Sequence, residues 1–154
     1  MLDVGDAAPE FDLATDSGTN ASSASLAGRK AVLYFYPKDD TSGCTVEAID
    51  FSFMKPEFAA ADTVVIGVSK DSVAAHAKFR LKHGLDVELG SDPAGTTVEA
   101  YGAWVEKSMY GRKYMGIDRS TFLIDRDGRV AAVWRKVKVP GHAAAVLKAA
   151  QDLG

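Results

Sequence analysis

The chain holds one thiol, Cys44, in the stretch Tyr36-Pro37-Lys38-Asp39-Asp40-Thr41-Ser42-Gly43-Cys44-Thr45. Thr41 is a good N-cap residue, and Val46, Ile49 and Phe53 follow at helical spacing, which predicts a helix starting near Thr41. Cys44 then falls in the first turn, where unpaired backbone N–H groups and the positive end of the helix dipole favour a thiolate over a thiol. A thiolate is the nucleophile in sulfur chemistry, so this is where covalent or redox chemistry is expected. Gly43 leaves room for a small molecule to approach the backbone beside the sulfur, the Thr41 hydroxyl can donate and accept a hydrogen bond, and Pro37 supplies a rigid apolar wall. Against this stands the plain alternative that a lone Cys is buried packing.

The elements that must position these residues alternate in type. Ala31 to Tyr36 is nearly all apolar and predicts a central strand buried on both faces. Val64 to Val68 predicts a second such strand, followed by an Asp71-Ser72 cap and a helix that Gly84 ends. Val87 to Leu89 reads as a third strand and Thr96 to Tyr101 as a short helix. Thr121 to Ile124 pairs with Val130 to Trp134 across Asp125-Arg126-Asp127-Gly128, and Ala143 to Leu153 forms a closing helix. Phe11 to Ala14 and Ser23 to Leu26 flank a turn around Asp16-Ser17-Gly18, predicting an N-terminal hairpin. The result is an α/β fold, a three-layer α/β/α sandwich with a mixed central sheet. With 154 residues and no linker or internal repeat, residues 1–154 are expected to form one domain.

The spacing Pro37-x-x-x-Thr41-x-x-Cys44 resembles the active-site signature of peroxiredoxins, and Phe35-Tyr36-Pro37-Lys38-Asp39-Asp40-Thr41 resembles their bacterioferritin comigratory protein (PrxQ) branch. Further similarity lies in Gly67-Val68-Ser69-Lys70-Asp71-Ser72, in Glu106 to Ile117, and in Arg119-Ser120-Thr121-Phe122-Leu123-Ile124-Asp125, and it extends over nearly the whole chain. The resemblance implies a thioredoxin-like fold and a catalytic set of Cys44 as peroxidatic nucleophile with Thr41, Pro37 and Arg119 around the peroxide. An Arg beside the sulfur favours its ionised form and can hydrogen-bond the peroxide oxygens as charge moves onto the leaving oxygen. Two departures stand out: Ser42 replaces a common Pro, and Ile49 occupies the place of a resolving Cys five residues after the nucleophile. With no second Cys anywhere, an intramolecular disulfide is impossible and a one-Cys cycle with an external thiol follows. The implied donor is thioredoxin, glutaredoxin or a small thiol, and the implied substrates are hydrogen peroxide and small organic hydroperoxides. A redox sensor or thiol-pairing module on the same fold is the alternative, since a missing resolving Cys suits both. A Cys-x-x-Cys disulfide reductase is not, because the pair is absent.

The rest of the sequence narrows the partners. Eighteen basic against 21 acidic residues give a net charge of −3, which makes no case for nucleic acid or acidic membranes. The N-terminus carries acidic residues where a signal peptide needs basic ones, and apolar runs are far below the ~20 residues needed to span a bilayer, so a cytoplasmic protein is expected. No phosphate loop occurs, and Asp125 to Lys136 lacks the twelfth-position Glu of a calcium loop. His76 and His83, seven apart on one helix, lie ~10.5 Å apart along its axis, too far for one ion, and are read as surface or groove residues. No cofactor or metal is therefore expected. Val105 to Pro140 carries nine Lys/Arg against four Asp/Glu, read as a solvated face that raises the potential near Arg119. Trp104, Met109, Tyr110, Tyr114 and Met115 in that stretch suit an active-site rim, a dimer contact or core packing, and a monomer or weak homodimer is expected.

Overall fold

The computed structural model describes residues 1–154. In chain order the elements are β1 (Asp12–Thr15), β2 (Asn20–Ser22), β3 (Lys30–Phe35), α1 (Ser42–Phe53), α2 (Lys55–Ala60), β4 (Thr63–Ser69), α3 (Val73–His83), β5 (Glu88–Ser91), α4 (Thr96–Ala100), β6 (Trp104–Met109), β7 (Arg112–Ile117), β8 (Ser120–Ile124), β9 (Val130–Trp134) and α5 (His142–Leu153). Seven strands form one mixed sheet in the order β2-β1-β5-β4-β3-β8-β9, and β6 and β7 form a separate two-stranded sheet. No helix is long and apolar enough to cross a membrane.

The expected apolar run is β3, buried at every position. It pairs in parallel with β4 and antiparallel with β8, which puts it inside the sheet with side chains facing two cores. Val32, Tyr34 and Tyr36 face one core, with Cys44, Ala48, Phe51, Phe58, Phe79 and Val146 from α1, α2, α3 and α5. Ala31, Leu33 and Phe35 face the other, with Val98, Tyr101, Ile117 and the N-terminal Phe11 and Leu13. The outer layers are therefore unequal. Because β3, β4 and β5 are successive parallel neighbours, the right-handed crossovers through α1 and α3 fall on the same face. Both crossovers leave from the carboxyl ends of their strands, so the β3–α1 and β4–α3 loops meet at one sheet edge, where ligands bind in open α/β folds.

Several local expectations needed correction. The N-terminal hairpin forms, but its second strand is Asn20–Ser22 and not Ser23 to Leu26. Ser22 and Ser25 exchange backbone-to-hydroxyl hydrogen bonds at 3.1 Å, which closes a turn there instead of extending the strand. The helix begun at Thr41 breaks at Met54, and α2 restarts with a proline in its first turn. The α3 caps are as the sequence predicts: Ser72 accepts from the Ala75 N–H at 3.1 Å, and Gly84 closes the helix at φ 61°. The β6–β7 hairpin turns at Tyr110-Gly111, both at positive φ. Its Met109, Tyr110, Tyr114 and Met115 are exposed, so the core-packing alternative for these four is wrong, while Trp104 is half-buried under the Lys70 ammonium, 4.2 Å from its ring centroid.

Candidate active site

Cys44 lies in the first turn of α1 and is 1% exposed. The first intrahelical bond runs from Thr45 N to Thr41 O, so the N–H groups of residues 42–44 have no partner within the helix. Arg119, on the loop between β7 and β8, reaches across from distant sequence. Its Nη2 donates to Cys44 Sγ at 3.3 Å and its Nη1 to Glu47 Oε1 at 2.7 Å. Two of the four expected residues are thus brought into direct contact.

Gly43 has a different use from the one its sequence suggests. A Cβ built there would stand 3.1 Å from Arg119 Nη2, so the missing side chain makes room for the guanidinium of Arg119. Thr41 is the N-cap residue, at φ −85° and ψ 156°, but its hydroxyl caps no helical N–H. It donates instead to the Lys38 carbonyl at 2.8 Å, which commits its proton and leaves its lone pairs as acceptors facing solvent. Pro37 is exposed on the same loop.

Glu47 is the residue that sequence reasoning missed. It lies three residues after Cys44, on the same face of α1, and is 1% exposed. That spacing, a carboxylate one turn behind the thiol, was the available signal. Oε1 takes the Arg119 hydrogen bond, while Oε2 has no partner. Burial pushes the carboxyl up to about 7, and the Arg119 charge and hydrogen bond only partly oppose this. Below it the Tyr34 hydroxyl is also buried without a partner, its ring stacked on Phe51 at 4.5 Å between centroids. Burial, then the nearby Glu47 and Cys44 charges, raises Tyr34 well above its ordinary range, so it stays a neutral phenol.

One of the two α3 histidines departs from its surface-or-groove reading, and the other keeps to it. His76 is wholly buried, not at the surface: Nδ1 lies 2.7 Å from Asp39 Oδ2 and Nε2 lies 3.1 Å from the Gly90 carbonyl. His83 is largely covered and sits 2.7 Å from Asp40. His142 heads α5, with Nε2 2.8 Å from Thr121 Oγ1, and burial followed by the Arg119 charge lowers it to about 4. It is neutral near pH 7 and adds no charge to compete with Arg119. A cavity between Phe11, Tyr101, Ile124 and Arg126 lies elsewhere and has no thiol in its lining.

The arrangement is a thiol at a helix N-terminus, held by a guanidinium that is itself oriented by a buried carboxyl. Comparison with known proteins points the same way. Residues 4–133 match the AhpC/TSA family. A relative from Coxiella burnetii is 51% identical over 95% of this chain and 97% of its own. The peroxiredoxin Bcp of Bacillus subtilis is 45% identical over 99% of this chain and 97% of its own. Among solved structures, Xanthomonas campestris peroxiredoxin Q superposes with a TM-score of 0.91 at 43% identity, covering 100% of this chain and 98% of that one. A family match over residues 4–133, identities of 43–51% over nearly the whole chain and a fold shared at that level place the chain in the AhpC/TSA family, as a peroxiredoxin of the Bcp/PrxQ branch.

Proposed function

We propose that the protein is a thiol-dependent peroxidase in which Cys44 is the peroxidatic nucleophile and Thr41, Arg119 and Pro37 form the peroxide site. The observation that carries this reading is the 3.3 Å contact from Arg119 Nη2 to the only sulfhydryl in the chain. In support, the related Xanthomonas campestris bacterioferritin comigratory protein is described for alkyl peroxide reduction. The Cys44 thiolate attacks the terminal oxygen of HO–OR, an S–O bond forms as the O–O bond breaks, the sulfur becomes a sulfenic acid, and RO⁻ leaves and takes a proton to become water or an alcohol. Charge passes from sulfur to the leaving oxygen during this step, and Arg119 with the free N–H groups of residues 42–44 can follow it. Thr41 Oγ1, its own proton held by the Lys38 carbonyl, accepts from the peroxide O–H and holds that terminal oxygen toward the sulfur, with the leaving oxygen pointing away. Pro37 excludes water from the outer side.

With no resolving Cys, an external thiol condenses with the sulfenic acid, releasing water, and a second thiol releases Cys44 by disulfide exchange. Thioredoxin, glutaredoxin and small thiols are the candidate donors, in a cytoplasmic setting and with a monomer or weak homodimer as the working unit. The test is the rate at which equimolar hydrogen peroxide oxidises Cys44, read by sulfenic acid trapping and intact mass against free cysteine. A rate several orders of magnitude faster, lost in Cys44→Ser, is the expected result, and a rate near free cysteine would defeat the proposal. Many equivalents of peroxide consumed with thiol present mark a peroxidase, whereas a sensor stops after about one.

A further inference from the structure

The loop from β3 to α1 carries both Pro37 and Thr41, yet of residues 37–41 only Asp39 is buried. Every hydrogen-bonding group of that aspartate that faces inward is occupied. Oδ1 accepts from the Tyr36 hydroxyl at 2.5 Å, Oδ2 meets His76 Nδ1 at 2.7 Å, and the Asp39 N–H donates to Asp71 Oδ2 at 2.9 Å. The anchors are themselves fixed. His76 Nε2 faces the Gly90 carbonyl, which can only accept, so Nε2 carries a proton and the ring cannot rotate without losing that bond. The same Asp71 oxygen accepts from Ser69 Oγ at 2.7 Å. The next residue, Asp40, is held at φ 62° and is gripped from the same helix by Lys82 and His83, each at 2.7 Å. The two histidines seven apart on α3 thus hold the two consecutive aspartates of the loop.

We propose that Asp39 and His76 form a buried latch that fixes the path of the peroxide-binding loop, so that His76 is a positioning residue for oxidation of Cys44 although it touches no reacting atom. The latch rests on the reading of Thr41 as a peroxide-orienting group. Buried polar chains cost desolvation, and this one ends on a loop whose other side chains are in solvent, so it supplies that loop's one buried side-chain anchor. A Thr41 hydroxyl displaced by about 1 Å would orient peroxide poorly while leaving the Arg119–Cys44 contact in place.

Two rates separate this from simple structural damage: oxidation of Cys44 by hydrogen peroxide in stopped flow, and alkylation of the same thiol by iodoacetamide. Alkylation reads the ionisation and access of the sulfur but needs no oriented peroxide. In His76→Leu and Asp39→Leu, oxidation should slow by about ten-fold or more while alkylation stays within about two-fold of wild type. Asp39→Asn should stay within about three-fold, because its amide N–H donates to Nδ1 and its carbonyl still accepts from Tyr36. Losses of both rates together, loss of neither, or an Asn variant as slow as the Leu variant would each overturn the latch. Should the Leu variants fail to fold, Tyr36→Phe decides: it deletes one O–H from Asp39, and an oxidation rate equal to wild type overturns the proposal. Wild-type oxidation no faster than free cysteine would instead sink the peroxidase reading, before any variant is compared.

Discussion

Glu47→Gln offers the sharpest test of the electrostatics beneath the thiol. The wild-type carboxyl is moved from its ordinary 4.5 to about 7, chiefly by burial, because one hydrogen bond from Arg119 cannot replace the water lost from both oxygens. Folding therefore tightens proton binding at this site by about 3 kcal/mol. The sign follows from the protonated form being the one the fold prefers. The stabilisation is whole below about pH 4.5, falls as pH rises through about 7, and is gone above it. Glutamine is neutral throughout and keeps an acceptor for Arg119. Urea unfolding of both proteins under reducing conditions, from pH 4.5 to 8.5, gives a stability difference in which all shared titrations cancel. Wild type minus Glu47→Gln should fall by about 3 kcal/mol over that range. A difference that stays flat, or that rises with pH, would show that Arg119 fully compensates the buried charge and would refute the conclusion that burial outweighs the ion pair.

Two further substitutions probe the same wall of the site. Gly43→Ala places a methyl 3.1 Å from Arg119 Nη2, so the guanidinium must shift by a few tenths of an ångström; oxidation of Cys44 by peroxide should slow by about ten-fold with the far-UV circular dichroism unchanged, and an unaltered rate would show that the exact seat of the guanidinium does not set the rate. Tyr34→Phe removes a buried hydroxyl that has no partner, so thermal unfolding should show stability unchanged or raised by about 1 kcal/mol, and a loss of that size would mean the hydroxyl is satisfied in solution.

The parts legible in the sequence were those set by local rules. The all-apolar run of β3, the Ser72 and Gly84 caps of α3, the tight turn between β8 and β9 and the Thr41 start of α1 are each written within a few residues. The contacts of the site are not local. Arg119 is 75 residues from Cys44 and His76 is 37 from Asp39, and only the chain path through the sheet brings them together. A histidine that reads as a surface residue by type becomes a core residue when an aspartate arrives opposite it. Glu47 stayed hidden for a related reason, since a carboxylate in a helix is ordinarily solvated and burial depends on what covers it. The β6–β7 hairpin gave little warning because it has no buried face to create alternation, and α2 is only six residues, anchored by Phe58.

Cys44 keeps only 1% of its exposure while the first turn of α1 is intact. The consequence lies in what happens after the first peroxide has gone. On the proposed cycle a second peroxide, two heavy atoms long, fits wherever the first one did, whereas a thiol carried on a folded protein reaches a sulfur this buried only if that turn frays. The sulfenic acid therefore stands at a fork between rescue by thiol and irreversible passage to sulfinic acid. With a protein thiol as the reductant, the proportion of enzyme lost per turnover, followed as peroxide is varied, becomes a clock for the opening of a single helical turn.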